Sequence, residues 1–137
     1  MITSTYVPLE KEVETVSFDD DDIELTGRYI AAFTYKGVKY PVVSWKNMLV
    51  QLCKLVYEEN PTEMYFLASS ENWFHLNEAK DRSKIADDCY VWSSNSTKTK
   101  CSCIRYLFSN LHIMPSVLDF HLYPISQETE IEEEELS

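Results

Sequence analysis

Between Phe33 and Tyr57 the chain has little freedom in what it can form. Ile30 to Tyr35 is β-branched and aromatic, and alternation puts Phe33 and Tyr35 on one face of a pleated strand. Lys36-Gly37 follows, a short turn in which Gly37 can take the positive φ that hairpins need. Val38, Tyr40 and Val42 share a face of the return strand, and Pro41, with no N–H to give a ladder, marks that strand as an edge. Ser44 then reads as a helix N-cap, its hydroxyl able to accept from a first-turn amide. Trp45, Met48, Leu49, Leu52, Cys53, Leu55 and Val56 recur at helical spacing, with Lys46, Asn47, Gln51 and Lys54 mostly on the other side. Asn60-Pro61 stops the helix, because the residue before proline avoids helical dihedrals and proline breaks the ladder.

Further along, Asn60 as cap and Pro61 at the first helical position predict a short helix carrying Met64, Leu67 and Ala68. Trp73-Phe74-His75 reads as a short strand, and the polar run from Asn77 to Asp88 as a loop. Cys89 to Trp92 reads as a strand after the Asp87-Asp88 turn, and Ser93 to Ser96 as a turn with a cap. A second amphipathic helix then runs from about Thr97 to His112, its buried stripe Cys101, Ile104, Phe108 and Leu111, with Leu107 on the flank. Leu118 to Leu122 alternates strictly, as a half-buried strand does. The expected fold is α+β: a small sheet, made of the hairpin and later strands, packed by two main amphipathic helices.

The formal charge of −11 is segregated. Residues 1–27 carry eight acids against Lys11, and residues 126–137 carry six glutamates and no base. What remains is near neutral, with nine acids and eleven bases. The expected organisation is therefore an acidic disordered flank over 1–27, a single α+β domain over 28–125, and an acidic disordered tail over 126–137. Two glycines leave no material for a Gly-rich phosphate loop. No apolar run reaches the length of a membrane span and the N-terminus has no signal-peptide pattern, so the expected location is cytoplasmic, with the four cysteines reduced.

The pattern Gly37-x-x-Tyr40-x-Val42-x-Ser44-Trp45-Lys46, with Leu52, Cys53, Val56 and Tyr57 in the following helix, resembles a small module found at the C-terminal end of bacterial restriction and phage-defence proteins, after ParB/HNH nuclease-like regions. Cys89 to Ser96, the helix behind it and Leu118 to Leu122 resemble that module's second half, so the likeness covers about residues 29–123. The chain reads as the module standing alone. The resemblance implies a defence or counter-defence context and no particular reaction.

The reactive side chains do not form a catalytic pattern. Cys101-x-Cys103, with Cys89, His112 or His121, invites a metal reading, but residues two apart on a helix point in nearly opposite directions. His75, His112 and His121 belong to no His-x-x-x-His or His-Glu-x-x-His motif. Glu78-x-Lys80 is the nearest approach to a nuclease-like pair, and it falls in the polar loop. The expectation is a non-enzyme with no metal and no cofactor. Its leading role is a protein-interaction module, docking a protein partner through Tyr35, Tyr40, Trp73 and Trp92. One alternative is nucleic-acid binding by Lys80, Arg82 and Lys84 with Lys98, Lys100 and Arg105, the acidic tails acting as internal competitor. Another is that the acidic flanks imitate nucleic acid and occupy a defence enzyme.

Overall fold

The structure, a computed structural model, describes residues 13–20 and 23–124. It is α+β, as expected, with three α-helices and two small antiparallel sheets among the described residues. The described residues divide into two compact units where a single domain over 28–125 was expected: those before residue 44 together with those after 115, and residues 44–115.

The first unit is a four-stranded sheet. Its strands are β1 (Glu14–Ser17), β2 (Ile30–Tyr35), β3 (Val38–Pro41) and β7 (Leu118–Leu122), in the order β1-β7-β2-β3. The hairpin turn carries positive φ at both central residues, 52° at Lys36 and 84° at Gly37, which matches the right-handed twist of the flanking strands. Pro41 does lie on an edge strand. Phe33 pairs with Tyr40 on one side and Phe120 on the other, and Val16 pairs with Phe120, so one face gathers apolar side chains. Phe18 closes that face, its ring 5.8 Å from that of Phe120 in an edge-to-face contact.

Strand β1 corrects the reading of residues 1–27 as a disordered flank. Glu14 to Ser17 pair with Leu122 to Asp119 of β7, and Phe18 and Leu25 are buried. The run of acids concealed a short strand whose apolar residue is Val16, with Phe18 in the turn just after it. Glu14 is itself a structural partner, accepting at 2.7 Å from Arg28 Nη2. Residues 1–12, 21–22 and the expected tail 126–137 lie outside the described residues.

The second unit holds α1 (Trp45–Glu59), α2 (Pro61–Ser70), β4 (Phe74–His75), β5 (Arg82–Ala86), β6 (Cys89–Trp92) and α3 (Thr97–Leu111). Ser44 caps α1 as expected, accepting from the Asn47 amide at 3.0 Å, and Ser96 caps α3, accepting from Thr99 at 3.1 Å. Met48, Leu49, Leu52, Cys53 and Val56 form the buried stripe of α1, while Trp45 and Leu55 are half-buried. The three strands stand in the order β4-β6-β5. Tyr57 Oη donates to Asp88 Oδ1 at 3.1 Å, tying α1 to the turn between β5 and β6.

Two elements of this unit differ from expectation. The polar run 77–88 contains β5, which its composition hid: Ile85 is its one large buried apolar residue and sits where the register shifts. A short edge strand with a bulge and cations on its open face keeps no apolar alternation to read. On α3 the buried stripe is Lys100, Cys103, Ile104, Leu107 and Phe108, rotated from the predicted Cys101-Ile104-Phe108-Leu111 set. Leu107 faces the core, Cys101 and Leu111 are half-buried, and Lys100, expected as a phosphate-binding cation, is buried.

Candidate functional site

The three-stranded sheet of the second unit has two chemically distinct faces. Phe74, Ile85, Cys89 and Val91 are buried on the inner one. The other face follows from the register. His75 stands opposite Tyr90, and Tyr90 opposite Lys84, so these three form one row across the strands. Trp92 stands opposite Arg82, and its amide donates to the Trp73 carbonyl at 3.1 Å, so Trp73, Trp92 and Arg82 form the next row. Directly opposed residues of antiparallel strands project to the same side. Alternation therefore sets two tryptophans, a tyrosine, a histidine and two cations on a single surface.

The rings are organised. Trp73 and Trp92 stack at 5.8 Å between centroids with 28° between planes, and Tyr106 of α3 extends the group, 6.4 Å from Trp73. Trp73, Tyr90, Trp92 and Tyr106 are all half-buried, held by their neighbours yet still open to solvent. An offset stack of this kind adds about 0.5–1.5 kcal/mol beyond area burial and fixes the ring positions before any ligand arrives.

The cations beside the rings are already engaged. Lys84 Nζ lies 3.2 Å from Asp87 Oδ1, and that carboxylate pushes the Lys84 ammonium pKa up. Arg82 donates from Nη1 to the Asn77 carbonyl at 3.0 Å, and its Nε lies 4.0 Å from Asp81 Oδ1. Burial, then Arg82, push the His75 imidazole down, so it is neutral near pH 7, and its buried Nδ1 has no hydrogen-bond partner among the described residues.

The expected interaction residues divide sharply. Trp73 and Trp92 come together on this face, whereas Tyr35 is 3% exposed in the core of the first unit. Tyr35 alternates with Thr34 toward the apolar side of β2, so it cannot be offered to a partner. Tyr40 is half-buried and stacks on Phe33 at 5.2 Å. The expected phosphate-binding set also loses a member. Lys100 is 5% exposed, its Nζ donating to the Asn95 carbonyl at 2.6 Å, with its pKa pushed down by burial and then by Lys46. Helical side chains lean toward the N-terminus, which is how Lys100 reaches back to the residue before the cap. Lys80, Lys98 and Arg105 are exposed.

The cysteines and histidines form no metal-binding group among the described residues. Burial pushes the Cys103 and Cys89 thiols up to about 12 and Cys101 to about 11, and Cys53 also rises. Such thiols are protonated at neutral pH and are poor nucleophiles. His121, in the first unit, is held between two hydroxyls, bonded through Nδ1 to Thr15 at 3.0 Å and through Nε2 to Thr34 at 2.7 Å.

Sequence reasoning read β4 and β6 as strands but missed Tyr90 and His75 as members of this face, because the pairing that sets them opposite each other joins segments well separated in the chain. One signal was available: Arg82 and Lys84 are spaced by two, the period of a strand. No protein-family description, curated protein or solved structure matches the chain.

Proposed function

We propose that the protein is a non-enzymatic protein-interaction module whose working surface is the open face of the β4-β6-β5 sheet. One observation carries the reading: Trp73 and Trp92 are stacked, half-exposed and fixed on a rigid sheet, with Tyr90 and Tyr106 beside them. Tryptophan and tyrosine anchors held in place are what dominate binding energy at protein interfaces. The raised thiol pKa values and the engaged lysines support binding in preference to nucleophilic chemistry. The resemblance of residues 29–123 to defence-associated modules supplies the proposed setting, a bacterial cytoplasm in which the module docks a defence or counter-defence protein.

The test is affinity capture from the native host with the wild-type chain and with Trp92→Ala. A partner recovered by the first and lost with the second, at unchanged circular dichroism, supports the reading. Equal recovery by both chains, or none reproducible, defeats it. Nucleic-acid binding is a second reading, favoured by Arg82 and Lys84 standing in the same rows as the rings. It rests on fewer cations than composition suggested, because Lys100 is buried and Lys84 is paired.

A further inference from the structure

We propose that Thr34 is a covalent modification site, its hydroxyl accepting an acyl group from a small acyl phosphate while His121 takes the hydroxyl proton as general base. The site lies on the polar face of the four-stranded sheet, apart from the rings of the second unit. It is a single event on the chain itself, so it stands or falls independently of the interaction reading.

The register assembles the group. Thr15 of β1 stands opposite His121 of β7, and Thr34 of β2 stands between Asp119 of β7 and Lys39 of β3. Directly opposed residues project to one side of a sheet, and residues two apart on a strand share that side. These side chains therefore lie on one face. Thr34 and His121 are half-buried, fixed by their strands yet still in contact with solvent, and Lys39 is exposed.

The distances assign the protons. A neutral imidazole carries one N–H, so of the two hydroxyls bonded to His121 one accepts and the other donates. Nδ1 lies 3.0 Å from Thr15 Oγ1, a usual length for an N–H donor, whereas Nε2 lies 2.7 Å from Thr34 Oγ1, a usual length for a hydroxyl donor. Thr15 thus accepts from Nδ1–H, and Thr34 donates to Nε2. Burial, then Lys39, hold the imidazole pKa below 6.5, which leaves Nε2 unprotonated at neutral pH. A hydroxyl bonded to a base that a third group orients is an activated nucleophile. The face offers a non-covalent ligand little, but it offers an electrophile a prepared oxygen.

The neighbours select the acyl donor. Lys39 and Asp119 are the charged groups that act on His121, while β1 and β2 present the hydroxyls of Thr15 and Thr34 to it. Opposed Cβ atoms are about 4.5–5.5 Å apart, so the long Lys39 side chain can set its ammonium beside Thr34 Oγ1. A cation there meets both the oxyanion that forms on the acyl carbonyl and the departing phosphate. An alkyl ester, with an uncharged and poor leaving group, gains nothing from it at the second position. Thr34 Oγ1 attacks the acyl carbon and its proton passes to Nε2; the carbon–oxygen bond to phosphate then breaks, and the imidazolium returns the proton to the phosphate. The products are an ester at Thr34 and inorganic phosphate. The ester has no hydroxyl proton, so acylation also removes the side-chain hydrogen bond between β2 and β7.

The experiment incubates the full chain with acetyl phosphate and maps acetyl groups by mass spectrometry, before and after hydroxylamine, which cleaves esters and spares acetylated lysines. The expected result is a hydroxylamine-sensitive acetyl group at Thr34, formed at a rate that rises with pH through the titration of His121 and is level above it. His121→Gln should slow the reaction by about a hundredfold or more, the scale of general-base catalysis. Lys39→Gln should slow it by about tenfold or more, and Thr34→Ser should still be modified. The proposal is overturned if acetyl groups map only to lysines or the N-terminus, if His121→Gln is acetylated at Thr34 as fast as wild type, or if the Thr34 rate keeps climbing into the range where lysines lose their protons. Should His121→Gln fold poorly, the site, the hydroxylamine sensitivity and the pH profile of the wild-type chain decide the matter.

Discussion

The two sheets answer the same problem, an exposed polar face, in opposite ways. In the first unit the polar face of the sheet is bonded to itself: His121 of β7 lies between Thr15 of β1 and Thr34 of β2, with both ring nitrogens engaged. Arg28 likewise reaches Glu14 at 2.7 Å and the Tyr123 carbonyl at 3.3 Å. In the second unit the open face presents rings at fixed positions, and only its cations are tied down. A face whose polar groups satisfy one another offers a ligand little to gain, because any new hydrogen bond must replace an existing one. Half-exposed stacked rings keep uncompensated apolar area that a partner can cover. Stability and binding should therefore separate between the sheets, and the contrast can be broken by substitution.

The largest expected effect is in the first unit. Phe18 is fully buried and packs edge-on against Phe120, so Phe18→Ala should cost about 3–5 kcal/mol of unfolding free energy, the range for deleting a core aromatic. Urea denaturation measures it. A loss below about 1 kcal/mol would mean that β1 and Phe18 are dispensable, and the first sheet would no longer contrast with an adjustable face. Trp92→Ala should have a smaller effect on stability, about 1–2 kcal/mol, since the residue is half-buried and its stack contributes only part of its area. If instead it costs as much as Phe18→Ala, the outer face is a core surface in disguise.

Thr34→Val probes the self-bonded face. The change keeps the side-chain volume and removes the hydroxyl bonded to His121 Nε2 at 2.7 Å, which should cost about 1 kcal/mol for one net hydrogen bond. The same histidine sets a pH dependence. Burial, then Lys39, hold its pKa below the ordinary value of 6.5, so the fold favours the neutral ring. Above that value the contribution is complete; as pH falls below it the unfolded chain binds the proton first and stability declines. His75 is lowered too and contributes a slope of the same sign. His121→Gln should therefore flatten, without abolishing, the loss of melting temperature between neutral and mildly acid pH. An unchanged slope would assign the whole effect elsewhere.

How much of this was legible depended on how each residue announces its neighbours. The hairpin, the Ser44 cap, the stop at Pro61 and the alternating strand at Leu118 were readable because each rule acts over a few residues. The α+β class followed from them. Strand β5 was not readable: its only large buried apolar residue, Ile85, sits at a bulge, and its other side chains serve an open face. Strand β1 was masked by acids, one of which is a structural partner of Arg28. Trp73 and Trp92 were recognisable as surface aromatics, but their stacking depends on a pairing between residues nearly twenty apart in the chain. Tyr35 was misplaced for the opposite reason, an aromatic in the hairpin whose alternation faces the core. Lys100 shows the limit of helical periodicity, since a long side chain can fold back to Asn95 and occupy a buried position by polar contact alone.

The smallest effect carries the most discriminating outcome. Lys84 and Asp87 form an ion pair at 3.2 Å with both side chains well exposed, and such pairs contribute little because solvent screens them and ordering them costs entropy. Lys84→Glu should therefore leave the melting temperature unchanged within error. What it does to binding depends on the occupant of the face. A protein partner docked through the rings does not depend on Lys84, so its affinity should change less than about twofold, whereas a single-stranded nucleic acid would lose a phosphate contact and meet a new carboxylate, weakening by about tenfold. A substitution that stability does not register is thus the one that separates the two ligand chemistries. It does so because the cation stands in the same row as Tyr90, at the edge of the surface where the contrast with the first sheet is sharpest.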